Sequence, residues 1–172
     1  MRPGLQIVVM GVSGTGKTVI GEGVAERLGC DFVEGDTFHP AANIEKMSAG
    51  IPLDDDDRRP WLEELARVLD EKRAAGLPTV LACSALKRSY RDILRGRAPS
   101  EDTFFLHLDH PFDVLRERME QREHFMPASL LQSQFDTLER LGPDEAGHVL
   151  DEDATIAEVV DRAVEAVRSP KP

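Results

Sequence analysis

The chain has 172 residues, of which 41% are hydrophobic and 31% charged, a composition typical of one folded domain rather than of a disordered chain. Its 21 basic and 32 acidic residues give a net charge of −11, which argues against a broad electropositive surface for nucleic acid. No segment approaches the roughly 20 apolar residues of a membrane span, and Cys30 and Cys83 are too few for a disulfide framework. We expect a single cytoplasmic domain over residues 1–172, with no nucleic-acid or membrane partner.

Strand-like and helix-like segments alternate along the chain, which is the order typical of a parallel sheet with helices on both faces. Short apolar runs predict strands at about 6–10, 31–34, 79–83, 103–108 and 148–150. Apolar residues at helical spacing predict helices after the first strand, from Pro60, over about 87–95, from Pro111, over about 128–138 and near the C-terminus. The expected fold class is therefore α/β, with three layers and a five-stranded parallel sheet.

The segment GVSGTGKT at residues 11–18 fits the pattern G-x-x-x-x-G-K-[ST] and lies between the first predicted strand and helix. Glycines let the backbone N–H groups of such a loop turn toward phosphate oxygens, and the following helix N-terminus adds partial positive charge. Lys17 would reach the β- and γ-phosphates of ATP, and the Thr18 hydroxyl would ligate Mg²⁺. The predicted ATP contacts in this loop are Gly11, Ser13, Gly14, Thr15, Gly16, Lys17 and Thr18.

Binding a triphosphate does not by itself define the reaction, because regulatory GTPases, motor ATPases and small-molecule kinases share this loop. The chain lacks the guanine-reading N-K-x-D of GTPases, and a motor would need more chain. A kinase needs a group that orients the acceptor hydroxyl, cations that neutralise charge, and a lid that excludes water.

Glu34 and Asp36 follow the second predicted strand, at the sheet edge where ligands collect in open α/β folds. We expect alternation to place both carboxylates on one side, with Glu34 holding Mg²⁺ through water and Asp36 orienting the acceptor hydroxyl. A surface turn with two solvated acids is the alternative.

Four segments together resemble the gluconokinase family: GVSGTGKT, EGDTFHPAANIEKMSAGIPLDDDDRRPW, CSALKRSYRD and HFMPASLLQSQFDTLE. The resemblance spans nearly the whole chain, and its second and fourth segments are the specific ones. It implies transfer of the ATP γ-phosphate to the 6-hydroxyl of D-gluconate, on a nucleoside-monophosphate-kinase-like fold, commonly as a homodimer. A kinase of shikimate or of a nucleotide, and a nucleotide-binding regulatory module without an acceptor, stay open as alternatives.

Gluconate is a polyol with a carboxylate at the end away from the phosphorylated hydroxyl, so its site needs hydrogen-bonding groups and a cation. The segment at about 37–60 is the predicted acceptor-binding region, and the acidic run 54–57 within it is expected to be a loop that contacts the sugar acid. Arg58 is expected to bind its carboxylate or a phosphate. The full set of predicted substrate contacts is Asp36, His39, Asn43, Lys46, Asp57, Arg58, Lys87, Arg91, His124 and Gln134.

Two members of this set, Lys87 and Arg91, are four residues apart and are expected to share one helix face in the acceptor pocket. For the charged and polar residues of the set, the alternative is an ordinary solvated surface. Gln134 could instead satisfy a buried backbone group, and Trp61 is expected to be a packing anchor.

Arg118 and Arg122 are further predicted ATP contacts, one helical turn apart, with a solvated helix face as the alternative. The segment at about 119–135 is expected to form a lid over bound ATP. Members of the family usually have a glycine in an R-x-G-H-F stretch, whereas Arg122-Glu123-His124 is one residue shorter here.

Overall fold

A computed structural model describes residues 1–121, 127–151 and 153–170. Within these ranges one five-stranded parallel sheet has the strand order β2-β3-β1-β4-β5. Its strands are β1 (Gln6–Met10), β2 (Asp31–Glu34), β3 (Thr79–Ala82), β4 (Thr103–Leu108) and β5 (Gly147–Leu150). The helices are α1 (Lys17–Leu28), α2 (Ala41–Ser48), α3 (Asp55–Ala74), α4 (Arg88–Arg95), α5 (Phe112–Glu120), α6 (Ala128–Thr137) and α7 (Ile156–Arg168). The predicted α/β fold class is confirmed.

The sheet separates two hydrophobic cores, because successive side chains of a strand point to opposite faces. Val8 and Met10 of β1 are fully buried against residues of α3, α4 and α6. Ile7 and Val9 are fully buried on the other face, against residues of α1 and α7. Helices therefore cover both faces, which explains why the strands read as continuous apolar runs rather than as alternating ones.

The acidic run forms a helix start rather than the expected loop. Asp54 is the N-cap of α3 and accepts a hydrogen bond from the Asp57 amide at 2.7 Å, while the Asp57 carboxylate accepts one from the Asp54 amide at 3.0 Å. Carboxylates stabilise a helix N-terminus through such reciprocal bonds and through the helix dipole. The prediction that Pro60 opens a helix is therefore wrong, since α3 begins at Asp55 and contains Pro60 in its second turn.

The carboxyl ends of the three strands β1, β2 and β3 meet at one edge of the sheet. The glycine-rich loop follows β1, a 3₁₀ turn (Gly35–Phe38) follows β2, and a short segment beginning at Cys83 follows β3. The Gly11 amide donates to the Ser84 carbonyl at 3.2 Å and so joins two of these loops. None of the helices in the described ranges is long and apolar enough to cross a membrane.

Candidate nucleotide and acceptor site

The loop between β1 and α1 has a backbone shape that requires glycine. A Cβ on Gly11 would lie 2.7 Å from the Leu108 carbonyl oxygen. Gly16, the N-cap of α1, has φ 90° and ψ 26° in the left-handed region, which side chains disfavour. The Thr15 hydroxyl closes the loop on itself by donating to the Val12 carbonyl at 3.1 Å. The loop thus leads directly into the positive end of the α1 dipole, where an anion is stabilised.

Lys17 lies at the start of α1, and its Nζ donates to the Val12 carbonyl at 3.0 Å. Burial lowers the pKa of the Lys17 ammonium, while the nearby Asp36, Cys83 and Glu34 raise that pKa. A cation that is poorly solvated gains more from an added negative charge than a solvated one does. The position of Lys17 therefore suits a phosphate group.

Glu34 joins the end of β2 to the glycine-rich loop, because its carboxylate accepts a hydrogen bond from the Thr18 hydroxyl. The same carboxylate accepts a hydrogen bond from the Asp36 amide at 3.2 Å and caps the 3₁₀ turn. A hydroxyl and a carboxylate are the hard oxygen donors that Mg²⁺ takes, and Mg²⁺ keeps several waters of its own. Thr18 and Glu34 therefore fit the ion that accompanies ATP.

Asp36 reaches the site by a route that strand alternation does not explain. Strand β2 ends at Glu34, so Asp36 stands on the 3₁₀ turn and not on the strand. Strand alternation was therefore the wrong reason for expecting both carboxylates on one side. Asp36 nevertheless acts electrostatically on Lys17 and lines the same cavity.

A cavity of about 190 Å³ lies between the glycine-rich loop, the 3₁₀ turn, α3 and α6. Pockets for drug-sized ligands run from roughly 300 to 1,000 Å³, so this one suits a small acceptor. The predicted site residues that line it are Ser13, Lys17, Asp36, His39, Arg58 and Gln134. Its wall also contains Met47, Ile51, Pro52, Leu53, Trp61, Ser84, Leu86, Leu130 and Ser133.

Arg58 enters the cavity from α3 and is 9% exposed. Its Nη1 donates to the Tyr90 hydroxyl at 3.1 Å, and its guanidinium lies 5.4 Å from the centre of the Tyr90 ring. The Tyr90 hydroxyl in turn donates to Asp55, whose carboxylate also accepts from Lys87 Nζ at 3.0 Å. This chain of bonds fixes the Arg58 guanidinium at the cavity wall, and a fixed guanidinium suits recognition of a carboxylate.

Tyr90 has no role in the sequence-based prediction, although it is the single tyrosine of the chain. The signal that the sequence offered for a role of Tyr90 in the site was its position three residues after Lys87. Lys87 itself does not lie on a helix face as expected, because it is the N-cap of α4 and pairs with Asp55. Lys87 does not line the cavity among the described residues.

The predicted pocket role of Arg91 is contradicted by its burial, since its side chain is 0% exposed. Its Nε and Nη2 donate to Glu145 at 2.7 and 3.1 Å, its Nη1 donates to the Ala85 and Leu86 carbonyls, and Nη2 also donates to the Arg140 carbonyl. These bonds use every N–H donor that a guanidinium has. Arg91 therefore joins α4 to the segment before β5 and has no donor left for a substrate.

Lys46, Asp57 and Asn43 are not among the described residues that line the cavity. Lys46 Nζ pairs with the Asp57 carboxylate at 2.7 Å, so these two side chains bind each other. Asn43 is 3% exposed and donates to the Asp57 carbonyl at 2.9 Å. That these three residues contact the substrate directly stays a prediction, and their positions do not support it.

Gln134 combines both of the roles considered for it. Its Oε1 accepts a hydrogen bond from the Ser13 amide at 2.7 Å, and its side chain lines the cavity. Arg118 is exposed on α5, and its contact with ATP stays a prediction. Arg122 and His124 lie outside the described residues.

A second, larger cavity of about 450 Å³ lies between β5 and α7. None of its lining residues belongs to the glycine-rich loop or to the turns that follow β2 and β3. The smaller cavity is the candidate active site, because the charged and hydrogen-bonding groups described above converge on it.

Comparison with known proteins agrees with this fold and site. A family model described as an AAA domain matches residues 7–141. The gluconokinase of Gluconobacter oxydans (strain 621H) is 57% identical over 141 residues, which cover 81% of this chain and 78% of the relative. The thermosensitive gluconokinase of Escherichia coli (strain K12) is 47% identical over 169 residues, which cover 95% of this chain and 88% of the relative.

A crystal structure of a gluconokinase from Sinorhizobium meliloti 1021 matches this fold with a TM-score of 0.87 and 48% identity, covering 98% of this chain and 94% of that one. Identity of this level over nearly the full length of both chains shows common ancestry and a common fold. The chain therefore belongs to the gluconokinase family of P-loop kinases.

Proposed function

We propose that this protein is a gluconokinase, which transfers the γ-phosphate of ATP to the 6-hydroxyl of D-gluconate and releases ADP and 6-phosphogluconate. The single observation that carries the proposal is the convergence of Lys17, Asp36 and Arg58 on one small cavity beside the glycine-rich loop. These three residues supply a phosphate ligand, a hydroxyl acceptor and a carboxylate ligand. The name gluconokinase of the relatives supports the same substrate.

On the nucleotide side, the backbone amides of residues 14–18 and the N-terminus of α1 bind the phosphates of ATP. Lys17 leaves its hydrogen bond with the Val12 carbonyl and takes a phosphate oxygen instead. Arg118 on α5 and the α6 part of the predicted lid at about 119–135 close over the nucleotide. Water is thereby kept away from the γ-phosphate.

On the acceptor side, the predicted segment at about 37–60 binds gluconate, with Arg58 on its carboxylate. Arg58 is held by Tyr90, so that its planar donor group is already oriented for two carboxylate oxygens. The hydroxyl at the other end of the acid then lies next to Asp36 and Lys17. Positioning of this kind supplies most of what a kinase contributes.

In the transfer step the 6-oxygen forms a bond to the γ-phosphorus while the bond from that phosphorus to the β,γ-bridging oxygen breaks. The hydroxyl proton passes to the Asp36 carboxylate, and the electron pair of the broken bond stays on ADP. Lys17 neutralises charge on the transferred group. Little covalent chemistry is asked of the protein itself.

Magnesium is the further ion we propose, held by the Thr18 hydroxyl and, through water, by Glu34. When bound, it neutralises phosphate charge. We also propose that the protein works as a homodimer in the cytoplasm, as the family resemblance implies. Sedimentation analysis and cell fractionation test these two statements.

The experiment that tests the function measures ADP formation from MgATP with gluconate, shikimate, nucleoside monophosphates and no acceptor, in parallel. Of these acceptors, we expect only gluconate to cause rapid ADP formation. A preference for shikimate or a nucleotide would assign a different kinase activity. ADP formation or nucleotide binding that no acceptor stimulates would mean that the protein is a nucleotide-binding module without transferase activity.

A further inference from the structure

Asn43 lies on α2 and contacts His39, which lines the cavity. Asn43 is 3% exposed, and a buried amide is kept only where its polar atoms are paired. Its Nδ2 lies 2.9 Å from the Asp57 carbonyl oxygen and 3.2 Å from His39 Nδ1. One amide nitrogen therefore contacts two groups on different sides.

The Asp57 carbonyl determines which end of the Asn43 amide faces it. A carbonyl oxygen can only accept a hydrogen bond, so the amide nitrogen must point toward it. A flipped amide would set two acceptor oxygens against each other at the same short distance. Because Nδ2 carries two hydrogens, its second hydrogen is directed at His39 Nδ1.

His39 Nδ1 must then be the unprotonated nitrogen of the ring, since it faces a donor. The ring proton lies on Nε2, on the side of Asp36, whose Oδ1 is 3.9 Å away. Stacking on Trp61, with ring centroids 4.0 Å apart, holds the plane of the ring. The Trp61 indole is in turn fixed by a 2.8 Å bond from its Nε1 to the Gly35 carbonyl.

The gap between His39 Nε2 and Asp36 Oδ1 is too long for a direct hydrogen bond. One oxygen atom can, however, lie within the normal 2.7–3.2 Å of both atoms at once. A hydroxyl donates one hydrogen bond and accepts others, so an acceptor hydroxyl can donate to Asp36 while it accepts from His39. Both residues line the cavity.

We propose that Asn43 is a positioning residue for this reaction, which holds His39 as the Nε2–H tautomer so that the ring donates a hydrogen bond to a hydroxyl of the acceptor. The proposal rests on the proposed function for its substrate, but the tautomer follows from contacts within the free protein. Asn43 itself does not touch the acceptor. Its effect passes through His39.

Burial favours the neutral ring that this arrangement needs. Burial lowers the pKa of His39, Asp36 raises it and Arg58 lowers it further, with a net decrease. Lys17 also lines the cavity. A neutral ring has one N–H only, so the choice between its two nitrogens decides whether a donor or an acceptor faces the substrate.

The first test reads the tautomer directly. Two-bond ¹H–¹⁵N spectra of the full protein labelled at its histidines, with His39→Gln used to identify the His39 signals, distinguish protonated from unprotonated ring nitrogens. We expect an unprotonated Nδ1 and a protonated Nε2 without any ligand. A ring protonated on Nδ1 would overturn the proposal, and this measurement needs no variant of Asn43.

The second test reverses the contact with Asn43→Asp, which has nearly the same shape but presents an oxygen to His39. We expect the ring proton to move to Nδ1, or the ring to become doubly protonated, in the same spectra. Ala42→Asp adds the same charge at an exposed position of α2 and should leave the His39 signals unchanged. Unchanged signals in Asn43→Asp itself would contradict the proposal.

The third test is a double-mutant cycle on the turnover number with gluconate. Asn43→Asp should lower kcat by up to about tenfold, the scale of one lost hydrogen bond. In the His39→Gln background the side-chain amide donates regardless of tautomer, so Asn43→Asp should then cost little. Equal losses in both backgrounds would mean that Asn43 is only structural. Absence of gluconate phosphorylation by the parent protein would refute the proposed function, while the spectra would still test the tautomer.

Discussion

The amide nitrogen of Ser13 donates a 2.7 Å hydrogen bond to Oε1 of Gln134, which joins the glycine-rich loop to helix α6 across the candidate active site. Both residues line the cavity. Helix α6 belongs to the predicted lid, so this bond links the phosphate-binding loop to the part of the fold that would close over ATP.

Gln134→Glu should weaken ATP binding, because it places a negative charge at the Ser13 amide, beside the loop that would hold the phosphates. Two like charges about 4 Å apart repel by roughly 1 to 4 kcal/mol between bulk water and a protein surface, so the KM for ATP should rise about fivefold or more. Initial rates at varied ATP measure this. Gln132→Glu, on the exposed side of α6, should have a much smaller effect, and similar KM values for the two variants would contradict the assignment of Gln134.

Lys17→Met should lower kcat by roughly a hundredfold or more, the loss seen when one preorganised charge-stabilising donor is removed. Lys17 is the only positively charged residue in the segment 11–18, so the loop has no replacement for it. Turnover at saturating ATP and gluconate measures the effect. Lys72→Met removes a lysine that pairs with Asp31 at 2.8 Å on the surface, and it should keep the parent turnover. Unchanged turnover in Lys17→Met would remove Lys17 from the reaction.

Asp36→Asn should depress kcat more than it changes the affinity for ATP, since the acceptor hydroxyl loses its proton acceptor while the phosphate loop stays intact. Turnover and nucleotide titration together measure the two effects. Asp31→Asn, at the opposite end of β2, is the matched control. Loss of ATP binding with gluconate binding retained would place Asp36 on the nucleotide side instead.

Arg58→Ala should raise the KM for gluconate by about ten- to a hundredfold, because a hydrogen bond to a charged group contributes roughly 1.5 to 3 kcal/mol. Tyr90→Phe removes only the hydroxyl that holds Arg58, so its effect should be in the same direction and smaller. A neutral polyol of the same length should barely distinguish Arg58→Ala from the parent. If the parent shows no preference for the acid over that polyol, Arg58 has another role.

Arg59→Ala is the matched control for this series, since Arg59 is the next residue of α3 and pairs on the surface with Asp56 at 2.8 Å. It should change the KM for gluconate much less than Arg58→Ala does. Equal effects of the two substitutions would show that only the overall charge of this helix matters.

The burial of His107 predicts that the stability of the fold decreases in acid. His107 is 1% exposed in β4, and its Nδ1 has no hydrogen-bond partner among the described residues. Burial lowers the pKa of His107 to about 4; Asp109 opposes this shift, and Arg140 and Arg91 add to it. His107 therefore binds a proton near pH 6.5 in the unfolded chain but only near pH 4 in the folded protein.

The sign of this effect is a loss of stability on acidification. The contribution of neutral His107 to the free energy of unfolding is complete above pH 6.5. It falls as the pH drops toward 4, by about 3 kcal/mol in all. Urea unfolding of the parent and of His107→Gln at several pH values measures it, with His148→Gln as a control at a less buried histidine. Parallel pH dependence of His107→Gln and the parent would show that another group controls acid unfolding.

Much of the fold and the phosphate-binding loop was predictable, because both depend on local patterns. Strands β1, β2 and β4 have the predicted bounds, since uninterrupted apolar runs between turn residues define a buried parallel strand. The loop is defined by glycines whose backbone angles no other residue adopts easily. Helix α2 was not predicted. The start of α3 was misplaced, because an acidic run serves equally well as a solvated loop or as a helix cap.

The roles of individual charged side chains were not predictable, since partners far apart in sequence decide them. Arg91 and Lys87 have similar sequence surroundings. Arg91 is nonetheless buried and pairs with Glu145, 54 residues further on, whereas Lys87 pairs with Asp55 on the surface. The sequence by itself determined the sheet, the phosphate loop and the family resemblance, through short-range periodicity and motif spacing. Only the tertiary structure decided which arginine lines the cavity and which groups contact His39, because ion pairing and burial depend on contacts between distant segments.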